Sequence, residues 1–316
     1  MIPDVSKDLM MDFWRIGDVR IARVEEMSSA GFPPKMQFPD FDPEIFEQHP
    51  ELKALERIDP DTGGTIASIH SWVMWIGEEV VIIDTASGNG KVRTDPKYAR
   101  FHMLDTRFLE RLVQAGAPAD AVTMVINTHM HVDHSGWNTV MREGCWRPSF
   151  PNARYVLGRD EYANWQPGGV TATAQPEGVP VVNDSVDPLI GAAPIEWISD
   201  GDTIVRGVTA HALPGHTSGM LGIRVESGGD VAWFCGDCMH RAMQVFDPDL
   251  NCFLCENNEV APVTRKRFLE TCADEGAMIF PAHFDSPHAG RVVRRMDGGF
   301  GFVGVGPEDQ SSEKGN

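Results

Sequence analysis

The run Thr128-His129-Met130-His131-Val132-Asp133-His134 constrains this chain more than any other feature. Three imidazoles and a carboxylate fall within it, directly after the apolar stretch Val122-Thr123-Met124-Val125-Ile126-Asn127. That stretch reads as a buried strand, so the cluster sits where a strand gives way to a loop. The strand end is rigid, and the loop frees side chains to converge on one point. Neutral imidazole and carboxylate are ligands for zinc and its first-row neighbours. Histidine is scarce here, 11 in 316 residues. A polar loop that gathers three by accident is the weaker reading.

Alternate residues leaving a strand point the same way, so His129 and His131 can pinch one metal. Asp133 and His134 come later in the loop and can reach a second. Two divalent ions about 3.5–4 Å apart share a bridging hydroxide and polarise a substrate oxygen. One short segment cannot fill both coordination shells. Three later residues are candidates to complete them: His216 in Leu213-Pro214-Gly215-His216-Thr217, Asp237 in Phe234-Cys235-Gly236-Asp237, and His283 in Phe280-Pro281-Ala282-His283. Each follows a strand-like run. Singly, each reads equally well as a cap or turn residue.

In this set and order the chain resembles the metallo-β-lactamase superfamily, from about Trp72 to about Phe302. The H-x-H-x-D-H signature is matched in full. The resemblance implies an α/β fold, a four-layer αβ/βα sandwich with the metals at one edge of two facing sheets. It implies that His129, His131 and His216 hold one metal, that Asp133, His134 and His283 hold the other, and that Asp237 bridges them. Upstream, Ser71–Gly77 and Glu79–Thr85 read as a hairpin turning at Gly77-Glu78. Asp84, closing its second strand, resembles the family's aspartate beneath the site, which accepts a hydrogen bond from a ligand or its loop. A simple turn-forming aspartate is the alternative. The expected cofactors are two divalent ions, zinc first, with Mn, Fe or Co also suited to these ligands.

The formal charge of −19 argues against a polyanionic partner, and no Lys/Arg-rich block offers a phosphate track. No run approaches the roughly 20 apolar residues of a membrane span. The N-terminus lacks a signal pattern, so a cytoplasmic location is expected. One domain is expected over 1–306, with an N-terminal extension (1–17, helical or loose), a first strand at Asp18–Val24 and an insertion at 30–61 that could serve as a lid or a dimer arm. A helix is expected over Asp105–Ala115, with Phe108, Leu109, Leu112 and Val113 on one face and Gly116 as its stop. Thr264–Asp274 is a second. The segment between Trp165 and Ala193 reads as an excursion over the active-site edge. The polar tail, 307–316, is expected to be disordered. Cys235-x-x-Cys238 and Cys252-x-x-Cys255 could suggest a zinc ribbon, but the first pair encloses Asp237. Cys145 and Cys272 are expected in core or helix. Cys238, beside Asp237, is the thiol whose oxidation or stray metal binding would matter.

Within the family resembled, exported β-lactamases of the matching subclass lack the bridging aspartate. The flavo-diiron proteins replace the second histidine with Glu, and glyoxalase II carries a further helical domain. Lactonases and organophosphate hydrolases remain. Three residues after the bridging position, the familiar acyl-homoserine lactonases have a tyrosine. This chain has His240, in Gly236-Asp237-Cys238-Met239-His240, which resembles the methyl parathion hydrolase branch. The expected activity is lactone or ester hydrolysis, with phosphotriester hydrolysis as the alternative and a metal-binding protein without turnover as a remoter one. Asp133 and His240 are the candidate catalytic side chains, His240 as proton donor or substrate orienter. Trp137, Met239, Phe284, Trp75 and Phe32 are the candidate pocket walls, suited to a small substrate with an apolar acyl or aromatic part. A homodimer is also expected to be possible.

Overall fold

A computed structural model describes residues 11–308. The expected extension and tail lie partly outside them, at 1–10 and 309–316. The first sheet takes β1 (Phe13–Ile16), β2 (Val19–Ala30), β3 (Ile66–Ile76), β4 (Glu79–Ile83) and β5 (Met124–Asn127). β6 (Thr139–Arg142) and β7 (Cys145–Pro148) form a separate ribbon, and β8 (Arg154–Gly158) and β9 (Ile195–Ile198) complete the sheet. Its order is β1-β2-β3-β4-β5-β8-β9. The second sheet runs in chain order: β10 (Thr203–Val205), β11 (Val208–Ala212), β12 (Leu221–Ser227), β13 (Asp230–Phe234), β14 (Met278–Phe280), β15 (Gly290–Arg294) and β16 (Phe300–Gly304).

Strand periodicity builds three apolar layers. Successive side chains point to opposite faces, so Val81 and Ile83 of β4 enter the space between the sheets while Ile82 faces outward. On β13, Ala232 and Phe234 face inward and Trp233 outward. Helices Phe108–Ala115 and Val179–Ser185 cover the first sheet's outer face. Helix Val260–Glu275 covers the second through Phe268, Leu269 and Cys272. Helix, sheet, sheet, helix is the four-layer sandwich. Each layer rests on fully buried residues; truncating one such as Leu112 to Ala would cost about 2–5 kcal/mol.

The hairpin forms as expected, with Ile76 opposite Glu79 and Gly77 at φ 58° in the turn. The segment before it differs. β1 occupies what was read as a helical or loose extension, and the next strand runs to Ala30, well past Val24. β1 is the edge of the sheet and β2 is paired on both sides, and a short alternation in the sequence underreports both. Helix Phe108–Ala115 ends at Gly116, φ 85°, but Val113 is 59% exposed. At 100° per residue Val113 falls about 140° from Phe108 and leaves the apolar stripe. The second helix begins at Val260 rather than Thr264. Pro262 sits in its first turn, where a missing N–H costs nothing. The insertion folds as three one-turn helices that place Phe38, Ile45 and Leu52 in the outer core of the second sheet. The start of the expected tail is anchored, the Glu308 amide donating to Phe13 O at 2.7 Å. No helix among the described residues is long and apolar enough to cross a membrane.

Candidate metal centre

Parallel pairing brings the carboxyl ends of β4, β5, β13 and β14 to one edge of the sandwich. Such ends are where α/β folds collect ligands. Asp84 follows β4, His129–His134 follow β5, Asp237 follows β13 and His283 follows β14. His216 lies on the β11–β12 connection. Two glycines let these loops close up. A Cβ on Gly236, φ 48°, would stand 2.7 Å from Thr128 Oγ1, and one on Gly215, φ 133°, 2.5 Å from Ala261 Cα. Neither position admits a side chain without strain.

The cluster is buried and tight. His131 Nδ1 lies 2.7 Å from His216 Nε2 and 3.1 Å from His129 Nε2. His134 Nε2 and His283 Nε2 are 3.2 Å apart. Asp237 stands between the groups: Oδ2 is 3.2 Å from His216 Nε2, and Oδ1 is 3.0 Å from His283 Nε2 and 3.2 Å from His134 Nε2. Asp133 Oδ2 is 3.6 Å from His283 Nε2. One potential ligand set is His129, His131, His216 and Asp237; another is Asp133, His134 and His283.

The outward ring nitrogens fix the tautomers. His134 Nδ1 donates to Asp84 Oδ2 at 2.8 Å, and His283 Nδ1 donates to Ser68 O at 3.1 Å. The Thr128 hydroxyl gives its proton to Asp84 Oδ2 at 2.7 Å, so it accepts from His129 Nδ1 at 3.1 Å. His131 Nε2 donates to Gln175 Oε1 at 2.6 Å. With those protons outward, the inner ring nitrogens face one another and a carboxylate across about 3 Å. Asp237 Oδ1 is buried without a well-aligned hydrogen bond. This donor set fits divalent cations and fits nothing uncharged.

The electrostatics divide the cluster. Burial, reinforced by neighbouring imidazoles, pushes His129 and His216 well below the usual histidine range, toward the neutral ligand form. Burial also opposes charge on His134 and His283, but the Asp237 carboxylate outweighs it and raises both. Asp237 is held well below the carboxylate range by the surrounding imidazoles, despite its own burial.

His240 stands apart. It is buried on the cavity wall, Nε2 3.3 Å from Asp237 Oδ2, with neither ring nitrogen hydrogen-bonded. Every other ring in the cluster has its far nitrogen occupied, His216 Nδ1 facing Cys255 Sγ at 3.8 Å.

Four of the five anticipated wall residues lie elsewhere. Trp137 is turned away by the bonds Gly136 N to Ala86 O and Trp137 N to Thr85 O; its Nε1 donates to Glu26 and its ring stacks on Phe108. Met239 and Phe284 each neighbour a cluster histidine but are packed into the second sheet's outer core instead. Trp75 stacks with the Arg20 guanidinium, 4.1 Å from its ring centroid, on β3. Phe32 does line the cavity, edge-on to Phe253 at 5.1 Å. The sequence reading missed Gln175, which lines the cavity from the 165–193 excursion, and Glu161. Glu161 Oε1 accepts from Met130 N at 3.0 Å and Oε2 from Thr217 Oγ1 at 2.7 Å, clamping the two ligand loops together. Its place in the first turn after β8 was the one available signal.

The cysteines are all free. Cys145 is exposed on β7, against expectation. No cysteine joins a potential metal group among the described residues. Burial pushes the Cys238 thiol up to about 12, which makes it a poor thiolate.

A four-layer sandwich with a His/Asp cluster at its strand ends defines a class of metal-handling enzymes. A family model described as the Metallo-beta-lactamase superfamily matches residues 64–283, and the chain belongs to that superfamily of metal-dependent hydrolases. No curated protein matches the chain. Several solved structures do. Hydrolase AbOPH of the beta lactamase superfamily is 20% identical over 95% of this chain and 98% of its own, with a TM-score of 0.78. AidC, a dizinc quorum-quenching lactonase solved with a product, is 19% identical over 95% and 98%, with a TM-score of 0.76. A probable metal-dependent hydrolase from Staphylococcus aureus is 17% identical over 94% and 99%, with a TM-score of 0.70. At these identities the likeness is one of fold.

Proposed function

We propose that this chain is a dinuclear metal-dependent hydrolase that opens lactones or cleaves esters of small molecules, in the cytoplasm. The observation that carries the reading is Asp237 standing between two histidine groups at the floor of a cavity. His129, His131 and His216 would hold one ion, Asp133, His134 and His283 the other, and Asp237 both; zinc suits these ligands best. Bound there, two divalent ions supply a hydroxide nucleophile at neutral pH and a Lewis acid for the carbonyl oxygen.

The chain's own groups do the rest. Asp84, Thr128, Gln175 and Ser68 keep each imidazole's proton outward. His240, neither of whose ring nitrogens makes a well-aligned hydrogen bond, would give the leaving oxygen its proton. Phe32, Phe253 and Leu254 offer an acyl or aromatic group an apolar wall. The dizinc lactonase AidC shares the fold and supports the reading. Phosphotriester hydrolysis is the second reading, favoured by His240 at the position where the acyl-homoserine lactonases carry a tyrosine.

Proton release from a panel of lactones, aryl esters and one phosphotriester tests it, with metal-loaded protein and His129→Ala as blank. Rapid lactone or ester opening with a slow phosphotriester supports the first reading. A phosphotriester far ahead of every lactone supports the second, and silence across the panel overturns both.

A further inference from the structure

Two guanidinium groups line the same cavity as the metal centre. Arg241 is buried and Arg100 half-buried. Among the described residues neither forms an ion pair. Arg100 Nη2 donates to Ser29 Oγ at 2.7 Å, and the guanidinium lies 5.4 Å from the Phe101 ring centroid. Arg241 Nη1 donates to Ile66 O at 2.5 Å and Nε to Gln37 Oε1 at 3.4 Å. All these acceptors are neutral. The third cation of the wall, Lys97, is already matched by Glu177.

Acid is not in short supply. The chain has 46 Asp and Glu against 27 Lys and Arg, yet among the described residues none stands within ion-pair distance of these two groups. Asp133, whose field reaches Arg100, belongs to the metal cluster. Glu56 and Asp285 lie behind Arg241; burial pushes the Glu56 carboxyl up to about 7, and Asp285 is held by Arg57 at 2.5 Å. The two guanidiniums also repel each other. A charge taken from water is costly unless something pairs with it. Two such charges on an aromatic-lined wall call for an anion from outside. A guanidinium's planar fork matches a planar carboxylate.

We propose that Arg100, backed by Arg241, binds a carboxylate on the substrate, so that the lactone or ester hydrolysed is an acidic one. The substrate class is a half-ester of a dicarboxylic acid, or a lactone carrying a free carboxylate. This rests on the hydrolase reading above. It also explains why the wall is mixed: Phe32 and Phe253 cover the carbon chain, and the guanidiniums take its far end.

Two matched pairs test the subsite. The 4-nitrophenyl half-ester of glutaric acid is compared with 4-nitrophenyl pentanoate by kcat/KM, each corrected for its spontaneous hydrolysis. Glutarate is compared with pentanoate by calorimetric binding to the metal-loaded protein; both offer one carboxylate to the metals, and only glutarate offers a second. Wild type should favour the dicarboxylate member by about 10- to 100-fold in each pair, as expected of hydrogen bonds to a charged group. Arg100→Gln should bring both ratios close to one, and Arg100→Lys should retain part of the preference. A wild-type ratio near one, or a ratio that Arg100→Gln leaves unchanged, overturns the proposal. Turnover of neither ester would sink the hydrolase reading alone, since the glutarate-to-pentanoate binding ratio then decides the subsite by itself.

Discussion

Oε1 of Gln175 lies 2.6 Å from Nε2 of His131. The same amide's Nε2 donates to Leu254 O at 3.2 Å, so the side chain cannot flip without losing both bonds. It therefore fixes which His131 nitrogen carries the proton and turns Nδ1 toward the cluster. Gln175→Ala should weaken metal binding by about 10- to 100-fold, the usual cost of removing an outer partner of a ligating histidine. Competition with a chromophoric chelator measures it. Affinity equal to wild type would mean that the His131 ring is held by packing alone.

The reach of the sequence is clear from these two residues. His131 was legible because three histidines within a short run after a strand are rare and chemically specific. Gln175 was not, because an amide in a Gly/Pro-rich excursion carries no spacing signal, and only the tertiary path brings it to His131. The same divide runs through the rest of the site. His216, Asp237 and His283 each follow an apolar run, and the fold brings all three to the cluster. Trp137, Met239 and Phe284 were chosen for nearness along the chain, and each of them packs into the core instead. Arg100 and Arg241 reach the cavity from segments 141 positions apart, a meeting no local pattern encodes.

His240 offers a test that separates chemistry from metal binding. Its ring nitrogens make no well-aligned hydrogen bond, so its replacement should leave the ligands' own hydrogen bonds in place. His240→Gln should bind two metals with affinity near wild type while kcat falls by about 10²- to 10⁴-fold, the range for a lost proton donor. Metal content by atomic emission, beside kcat on an aryl ester and on its thioester analogue, is the measurement. The thioester's leaving group needs less protonation and should lose less. Loss of metal together with activity would make His240 a ligand instead.

Metal uptake should release protons. Asp237 holds the His134 and His283 pKa values above the usual range when no metal is present. Both rings are thereby biased toward the protonated form, and a cation must displace any proton held on the inner nitrogens. Zinc added to chelator-stripped protein at pH 7 in weak buffer should release about one to two protons per chain, and fewer at pH 9. The melting temperature should rise as metal is added. In Asp237→Asn the release at pH 7 should fall, because the charge that raises both histidines is gone. Uptake without proton release would show that both rings are already neutral.

Glu56 should set a slope of stability against pH. It is fully buried beside the cavity wall, where Oε1 accepts from Met243 N at 3.2 Å. Burial raises its folded pKa to about 7, against an ordinary value of 4.5, with Arg241 opposing the shift. The folded state thus binds this proton more tightly than the unfolded chain. The group's stabilising contribution is whole below the unfolded value and declines as pH rises from 4.5 toward 7, by on the order of 3 kcal/mol in total. Glu56→Gln keeps an acceptor for Met243 and cannot ionise, so that decline should vanish. Denaturant unfolding of both proteins at pH 5, 6, 7 and 8 checks it, with any pH-dependent metal loss common to the pair. The difference should move in favour of Glu56→Gln as pH rises to about 7 and level off above it. A difference constant across the range would mean that Glu56 ionises at its ordinary value and that Arg241 has a full counter-charge after all.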